Sequence, residues 1–382
     1  MLLCFPGRLL LAQERLLSKS DMVKLDFTSL ASKKIRVRSK DPSLMPAYDQ
    51  LLTDASSLLA YKPVSVMQKT GMPPSGDRHD YMSLAPYFWP DPSKPDGLPY
   101  INKDGLINPE VRGYTDKINL AKLCENVYIL GLAYYFSNEE KYAEHAALLL
   151  RVWFLDTATR MNPNLNYAQA VKGVTDGRAA GLIDSRHFIW LIDGIDLLKT
   201  SPSWTAQDQA SMKGWFSSFL DWMQTSKIGL DEMHAKNNHG VWYDAQSLAI
   251  ALFVDSTALA DRIALRAAGR LDRQMDTSGL FPLELARTTS LHYSVFILNA
   301  FIVVAELSER TSSALPGQSL GKAIGAILPF ISGAKDWTGP QITAFNYSDA
   351  VPILLYWHCP TCTDAIKRIV GGEYGRALIN LL

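Results

Sequence analysis

The chain contains few cysteines and has no excess of charge of either sign. Among its 382 residues are four cysteines, at positions 4, 124, 359 and 362, which are too few for a disulfide scaffold. Its 38 basic and 38 acidic side chains give a formal net charge of zero, which argues against a nucleic-acid-binding protein, because such proteins are usually basic. An anionic ligand stays compatible with this balance, since a few cations gathered in a cleft are enough to attract it.

Long uncharged apolar runs are also missing, and none reaches the roughly 20 residues that a membrane-spanning helix needs. We therefore expect no membrane partner. The first residues, MLLCFPGRLLLAQERLL, resemble a signal peptide, but Pro6 and Arg8 interrupt the apolar run and no small-residue cleavage site follows. The N-terminus therefore gives no clear signal for export.

An irregular stretch that is rich in proline and aromatic residues runs from Lys62 to Tyr114. Disordered segments are poor in aromatic residues, whereas this stretch contains Tyr81, Tyr87 and Trp89. A long segment without helix or strand inside a compact domain is usually functional. The composition therefore predicts an ordered surface loop that covers or lines a site.

Helical periodicity dominates from residue 116 onward, and one earlier helix is expected over 41–61. The later helices are predicted over 117–136, 138–156, 182–199, 205–226, 241–254, 257–275, 289–308, 319–332, 345–357 and 362–370. Ser203, Thr205 and Asn138 are the candidate N-caps. Short connections without strand alternation predict an all-α fold, an α/α toroid or a solenoid. We expect one domain over 1–382, with an N-terminal arm (1–115) and a helical part (116–382), and a monomer.

The first cluster of polar residues is Lys236-Asn237-Asn238-His239-Gly240, at the start of an apolar helix. Asparagine is a good N-cap, so one interpretation is helix capping and a structural histidine. The functional interpretation is that the helix N-terminus, the amides and the imidazole bind an anion such as a carboxylate.

The second cluster contains Glu284 and Arg287, followed by Leu291-His292-Tyr293. One interpretation is a surface pair of Arg287 with Glu284 and a tyrosine at the edge of the core. The functional interpretation requires Arg287 to hold an anion and to lower the proton affinity of Tyr293, because a nearby cation favours the ionised phenol.

Together the two clusters contain the residue types that β-elimination of a uronic acid polymer requires. The C5 proton of a uronate becomes removable when donors such as Asn, His or Arg neutralise the neighbouring carboxylate. A base then takes this proton, and an acid protonates the departing glycosidic oxygen. One Tyr can do both when the proton and the leaving group lie on the same face, whereas His can be the base when they lie on opposite faces. A glycoside hydrolase would need two flanking carboxylates, and no such pair stands out.

The sequence resembles the alginate lyase superfamily over most of residues 40–370. The resemblance is carried by HDYMSLAPYFWPDPSKPDGLPYI (His79–Ile101), MNPNLNYAQAVKG (Met161–Gly173), GRAAGLIDSRHF (Gly177–Phe188), KNNHGVWYDAQ (Lys236–Gln246) and LELARTTSLHYSVFIL (Leu283–Leu298). It implies an incomplete α/α toroid, an exported or periplasmic protein, and a polysaccharide lyase that acts on an anionic uronate polymer. It also implies that Asn238, His239 and Arg287 neutralise the carboxylate while Tyr293 acts as base, acid or both.

One departure from the family pattern concerns the substrate. Arg287 and Tyr293 are six residues apart, whereas the mannuronate-cleaving branch has a spacing of seven. The spacing indicates a sister branch that resembles lyases of glucuronan or mannuronan. No metal or organic cofactor is needed in this scheme, because every donor is a side chain.

Further residues are candidates for substrate binding. These are His187, Asn237, Tyr243, Arg78, His79, Tyr81, Trp89 and Asn166. A structural role is the alternative for each: His187 could pair with Asp184, Asn166 could form a turn, and the loop aromatics could attach the loop to the helices.

Two other functions stay open at this level. A glycoside hydrolase on a similar toroid would use Asp231, Glu232, Asp244 or Glu284, and an inactive protein would only bind carbohydrate. The Cys359-Pro360-Thr361-Cys362 motif has no second cysteine pair and no βαβ context, so we expect a local disulfide or two free thiols rather than catalysis.

Overall fold

The computed structural model describes residues 25–357, and helices dominate this part of the chain. The α-helices are α1 (Phe27–Arg38), α2 (Met45–Leu58), α3 (Thr115–Ser137), α4 (Glu140–Leu150), α5 (Phe188–Leu197), α6 (Ala206–Thr225), α7 (Lys227–Met233), α8 (Asn238–Phe253), α9 (Thr257–Gln274), α10 (Pro282–Leu285), α11 (Ser290–Ser308), α12 (Gly317–Ile331) and α13 (Val351–Tyr356). The strands are β1 (Met82–Leu84), β2 (Phe88–Trp89), β3 (Ile101–Asn102) and β4 (Tyr167–Ala170). The predicted all-α class is confirmed.

Helices α3, α5, α8 and α11 form the inner layer: most residues of each are buried, and in α5 and α8 nearly all are. Helices α4, α9 and α12 are amphipathic and pack outside α3, α8 and α11 respectively. The inner helices contact one another in the pairs α3 with α5, α5 with α8, and α8 with α11. This paired, two-layer packing is the one expected for an α/α toroid, and it places the N-termini of α8 and α11 close together.

Capping residues explain where several helices begin. Thr205 caps α6, as predicted, and it also forms a capping box with Asp208. Asn138 does not cap α4: it has a φ of 58° at the end of α3, and Glu139 takes the N-cap position. Asn237 caps α8 by accepting the backbone N–H of His239. Helix α8 therefore begins three residues before the predicted start at 241.

Other predictions need correction or lie outside the described residues. The helix predicted over 182–199 is a 3-10 helix, Ala179–Ser185, followed by α5. The helix predicted over 345–357 is likewise a 3-10 helix, Tyr347–Ala350, followed by α13. The short helices α1, α7 and α10 were not predicted. The helix expected over 362–370, the two cysteines at 359 and 362, and the signal-like start lie outside residues 25–357.

The proline-rich stretch is ordered and packs across the helices, as predicted. Strand β1 pairs in parallel with β4, and β2 pairs antiparallel with β3. Beyond β3, Asp104 and Gly105 contact Thr288 in the loop before α11. Gly105 has a φ of 77°, and a Cβ there would lie 2.5 Å from the Thr288 hydroxyl, so only glycine fits this approach.

Helix α11 is longer and more apolar than the sequence analysis expected of any segment in this chain. By length and hydropathy Ser290–Ser308 could cross a membrane, although the sequence suggested that no segment was long enough. The most apolar 18 residues of this helix are 78% buried inside the protein. Its apolar character is therefore explained by its place in the core.

Candidate active site

A cavity of about 780 Å³, called the cleft below, opens where the arm meets the N-termini of α8 and α11. All four residues that the sequence assigned to catalysis line it: Asn238, His239, Arg287 and Tyr293. The arm contributes Tyr87, Asn102 and Asp104 to the wall. The sequence thus identified residues that the fold brings together from segments far apart in the chain.

His239 lies in the first turn of α8 and is held by a buried carboxylate. Its Nδ1 is 2.7 Å from Oε1 of Glu232, a residue of α7 that is 2% exposed. A carboxylate accepts hydrogen bonds, so we assign the proton of the neutral ring to Nδ1. Nε2 is then the nitrogen with a free lone pair, on a side chain that is 22% exposed.

Asn238 is fixed by a second buried carboxylate. Its backbone N–H and its Nδ2 donate to the two oxygens of Glu284, at 2.6 and 2.8 Å. Both residues are fully buried, and burial raises the pKa of Glu284. The Asn238 Oδ1 has no hydrogen-bond partner among the described residues. The expected pair of Arg287 with Glu284 is therefore replaced by a pair of Asn238 with Glu284.

Arg287 forms its ion pair with the arm. Its Nε donates to both oxygens of Asp104 at 3.1 Å, and its terminal nitrogen donates to the same carboxylate. The backbone N–H of Thr288 adds a bond of 3.1 Å. The Arg287 hydrogen bonds, the largest cause, lower the pKa of Asp104 to about 2. The Arg287 guanidinium, which we expected to bind a substrate carboxylate, is thus hydrogen-bonded to the carboxylate of Asp104.

Tyr293 lies one turn into α11 with its phenol at the arm. The hydroxyl donates to the Tyr87 hydroxyl at 3.0 Å, and the Arg287 Cζ lies 3.6 Å from the centre of the Tyr293 ring. Burial is the largest influence, and it raises the pKa of Tyr293 well above its usual value. The expectation that Arg287 lowers this proton affinity overall is wrong, because burial and the contact with Tyr87 raise the pKa of Tyr293 by more than the guanidinium lowers it.

The loop before α8 is held by a buried charged cluster. Asp244 accepts from Arg266 and Arg270 at 2.8 Å each. Arg270 also donates to the carbonyls of Met233 and Ala235 at 2.7 Å, which ties the end of α7 to α9. These contacts fix the backbone directly before Asn238 and His239.

Three cations in the cleft wall were missed by the sequence reasoning. Lys117 pairs with the buried Asp184 at 2.9 Å, Arg178 donates to the Gln169 side chain, and Arg186 donates to the Ile183 carbonyl. Neither arginine forms a salt bridge within residues 25–357. Both belong to the GRAAGLIDSRHF segment, whose two arginines were the signal that could have revealed them.

Among the other expected substrate-binding residues, only Asn237 lines the cleft. His187 lines a neighbouring cavity, and burial lowers its pKa to about 3. Its supposed partner Asp184 instead accepts from Lys117, Ser83 and the phenol of Tyr81. Tyr81 is fully buried, so we correct its assignment from substrate binding to core structure.

Tyr243 also needs correction, because it is fully buried and its hydroxyl donates to the Met223 carbonyl at 2.9 Å. Four more residues lie outside the cleft wall and join backbone segments or side chains of the scaffold. Arg78 donates to the Lys69 carbonyl, His79 contacts the Arg160 carbonyl, Trp89 donates to the Leu106 carbonyl, and Asn166 accepts from Trp222.

The four acidic residues that a glycoside hydrolase would use are each paired with another side chain of the protein. Glu232 holds His239, Glu284 holds Asn238, and Asp244 pairs with two arginines. Asp231 lines the cleft but pairs with Lys227 on the surface. Within the described part of the chain, no three His, Cys, Asp or Glu side chains converge as a metal site would require.

Comparisons with known proteins agree with the geometry. The family described as Alginate lyase matches residues 65–337. An alginate lyase from Bacteroides ovatus is 38% identical, with a TM-score of 0.84 over 91% of this chain and 94% of that one. Alginate lyase A1-III from Sphingomonas species A1 is 17% identical, with a TM-score of 0.48 over 80% of this chain and 85% of that one. Among curated proteins no significant match is found.

Proposed function

Since this chain belongs to the alginate lyase family and is a polysaccharide lyase, we propose that it cleaves a β-1,4-linked uronate polymer, mannuronan or glucuronan, by β-elimination. The product would carry an unsaturated uronate at its new non-reducing end. The observation that carries the proposal is that Asn238, His239, Arg287 and Tyr293 line one cleft, with the arm lying across it. Such polymers lie outside cells, so we propose that the protein acts after export or in the periplasm.

The first requirement is to neutralise the uronate carboxylate. Arg287 would share its guanidinium between Asp104 and the substrate, and His239 and Asn238 would contribute hydrogen bonds. Glu284 occupies one Nδ2 proton of Asn238, which leaves the second available. Arg178 and Lys117 add positive charge around the same cavity. A polyanion is therefore attracted although the whole chain is neutral.

On these substrates one side chain can both remove the C5 proton and protonate the departing C4 oxygen. In β-linked mannuronate and glucuronate the C5 proton and the C4 oxygen lie on the same face, so Tyr293 would take the first and protonate the second. Its raised pKa keeps the phenol protonated at neutral pH, which suits the acid step. The base step needs Tyr293 to begin as the phenolate, and its proton would pass to the Tyr87 hydroxyl, 3.0 Å away, as that hydroxyl releases its own proton to water. The phenolate then takes the C5 proton and passes it to the departing C4 oxygen, which restores the phenolate.

A second substrate geometry is favoured by the pair of His239 and Glu232. With Nδ1 hydrogen-bonded to Glu232, Nε2 can accept a proton while Tyr293, on a different helix, donates one. This division fits a uronate whose C5 proton and C4 oxygen lie on opposite faces, as in polyguluronate. Activity on polyguluronate in addition to mannuronan or glucuronan would support this division of the proton transfers.

The test is ultraviolet absorbance with time on mannuronan, glucuronan, polyguluronate and glycosaminoglycans, with reducing ends measured in parallel. We expect absorbance of the unsaturated product on mannuronan or glucuronan. Tyr293→Phe should abolish it, whereas Tyr100→Phe, another tyrosine of the arm, should not. New reducing ends without absorbance would support hydrolysis, and binding without any product would support a carbohydrate-binding protein.

A further inference from the structure

Glu284 lies behind the cleft wall and contacts two residues that line it. It belongs to α10 and is fully buried, and it does not line the cavity itself, whereas Asn238 and Arg287 do. A side chain in this place does not touch a substrate that occupies the cleft. Any part that Glu284 has in the reaction is therefore exerted through the residues that it holds.

The place at the first turn of α8 where an anionic ligand was expected is occupied by the carboxylate of Glu284. Its Oε1 accepts the backbone N–H of Asn238 at 2.6 Å. Asn237 accepts the next two backbone N–H groups, from His239 and Gly240, at 3.3 and 3.1 Å. All three N–H groups of this turn are thus paired within the protein. A substrate carboxylate must then be neutralised by side chains, so the orientation of each side-chain donor decides how well this is done.

The two contacts between Glu284 and Asn238 require an ionised carboxylate. The backbone N–H and Nδ2 of Asn238 are both donors, and they bind different oxygens of Glu284, at 2.6 and 2.8 Å. A carboxamide or a protonated acid would place a donor against one of them, whereas a carboxylate accepts at both oxygens. Burial raises the pKa of Glu284, and the hydrogen bonds from Asn238 and the charge of Arg287 act against this rise. The carboxylate thus fixes which end of the Asn238 amide faces it, and with it the direction of the second Nδ2 proton.

The backbone of Glu284 is tied to the second catalytic cluster. Its carbonyl accepts the backbone N–H of Arg287 at 3.1 Å, and its own N–H donates to the Phe281 carbonyl at 2.9 Å. The Phe281 ring stacks on Phe301 of α11, with the ring centres 5.7 Å apart. Glu284 therefore connects the residue that begins α8 with the catalytic arginine that precedes α11.

We propose that Glu284 is a positioning residue of the lyase reaction that acts through Asn238. It fixes the orientation of the Asn238 amide, and thereby the Nδ2 proton offered to the uronate carboxylate, relative to Arg287. This inference rests on the proposed function, because it takes neutralisation of that carboxylate as the task of Asn238. Negative charge on the carboxylate grows as the C5 proton leaves, so a misoriented amide lowers kcat more than it raises KM.

The experiment measures kcat and KM of Glu284→Gln on the polymer that the wild type cleaves, both alone and combined with Asn238→Ala. Alone, Glu284→Gln should lower kcat about 10- to 100-fold and change KM by less than about twofold. Combined with Asn238→Ala, which leaves no amide to orient, it should change kcat by less than about twofold. Glu306→Gln is the matched control, because it alters a half-buried glutamate of α11 outside the cleft wall, and it should keep the wild-type kcat.

A second variant keeps the test decisive if Glu284→Gln does not fold. Glu284→Asp retains an acceptor at both oxygens but is one methylene shorter, so it too should lower kcat only while the Asn238 amide is present. An unchanged kcat in the folded Glu284 variants, or the same loss with and without the amide, overturns the positioning role while the lyase stands. A wild type that cleaves no uronate polymer overturns the proposed function, and the role of Glu284 with it.

Discussion

Nδ1 of His239 lies 2.7 Å from Oε1 of Glu232, a carboxylate that is only 2% exposed. This contact decides which ring nitrogen can act on a substrate. Glu232 comes from α7 and His239 from α8, so the short turn between these helices sets the orientation of the ring. The same turn is tied down by Arg270, which links catalytic geometry to the buried charges behind it.

We expect Glu232→Gln to lower kcat by about 10- to 100-fold with a small change in KM, because a partner that orients a functional histidine is typically worth that much. The amide keeps a similar shape but removes the charge that stabilises a protonated ring. Asp231→Asn, next to it on α7 and paired with Lys227, is the matched control and should keep full kcat. A kcat unchanged by Glu232→Gln across the pH profile would show that the pair is structural.

Removal of the hydroxyl that Tyr293 contacts tests the proton exchange. Tyr87→Phe should lower kcat on mannuronan about tenfold, because it removes the 3.0 Å partner of the Tyr293 phenol but leaves the phenol itself. The loss should be smaller on polyguluronate, where His239 would take the proton. Equal losses on both polymers would contradict a role specific to the same-face reaction.

The ion pair between Asp104 and Arg287 should hold the arm against the helices. Asp104→Asn should speed tryptic cleavage after Lys103 about fivefold, the effect of losing roughly 1 kcal/mol of docking. Asp96→Asn, in the same arm but without a salt bridge to the helices among the described residues, is the control. Limited proteolysis followed by mass spectrometry measures the rate. Cleavage no faster than in the wild type would mean that the other contacts of Gly105 and Thr288 suffice.

Acid should destabilise the fold partly through His187. Burial, assisted by the neighbouring Arg186, lowers its pKa to about 3, whereas an unfolded histidine has a pKa of about 6.5. Between these values the unfolded chain binds the extra proton, so stability falls as pH drops from about 6.5 towards 3. Between pH 7 and pH 5, the Tm of the His187→Gln protein should therefore fall by less than the Tm of the wild type. His234→Gln, at an exposed position, should behave as the wild type.

The residue types of the site could be predicted because each cluster is local. Asn237, Asn238 and His239 are consecutive, and N-cap preference alone places them at a helix start. Arg287 and Tyr293 are close in sequence and flank the beginning of α11. The family resemblance placed the two clusters in one active site, and no local sequence pattern could show that they lie together.

The partners of these residues could not be predicted, because they come from distant parts of the chain. Glu284 is 46 residues from Asn238, and Asp104 is 183 residues from Arg287. Tyr243 was misassigned for a related reason. Helix α8 is buried on nearly all sides, so a tyrosine one turn after His239 does not share its solvent-facing position. Sequence periodicity predicts faces only for helices that have an exposed face.

The most direct test of elimination is to run the cleavage in water labelled with oxygen-18 and to measure the masses of the products by mass spectrometry. Elimination breaks the C4–oxygen bond without adding water, so the account predicts unlabelled products, each pair summing to the mass of the uncleaved oligomer. Products that are heavier by one labelled water would contradict it and identify the protein as a hydrolase.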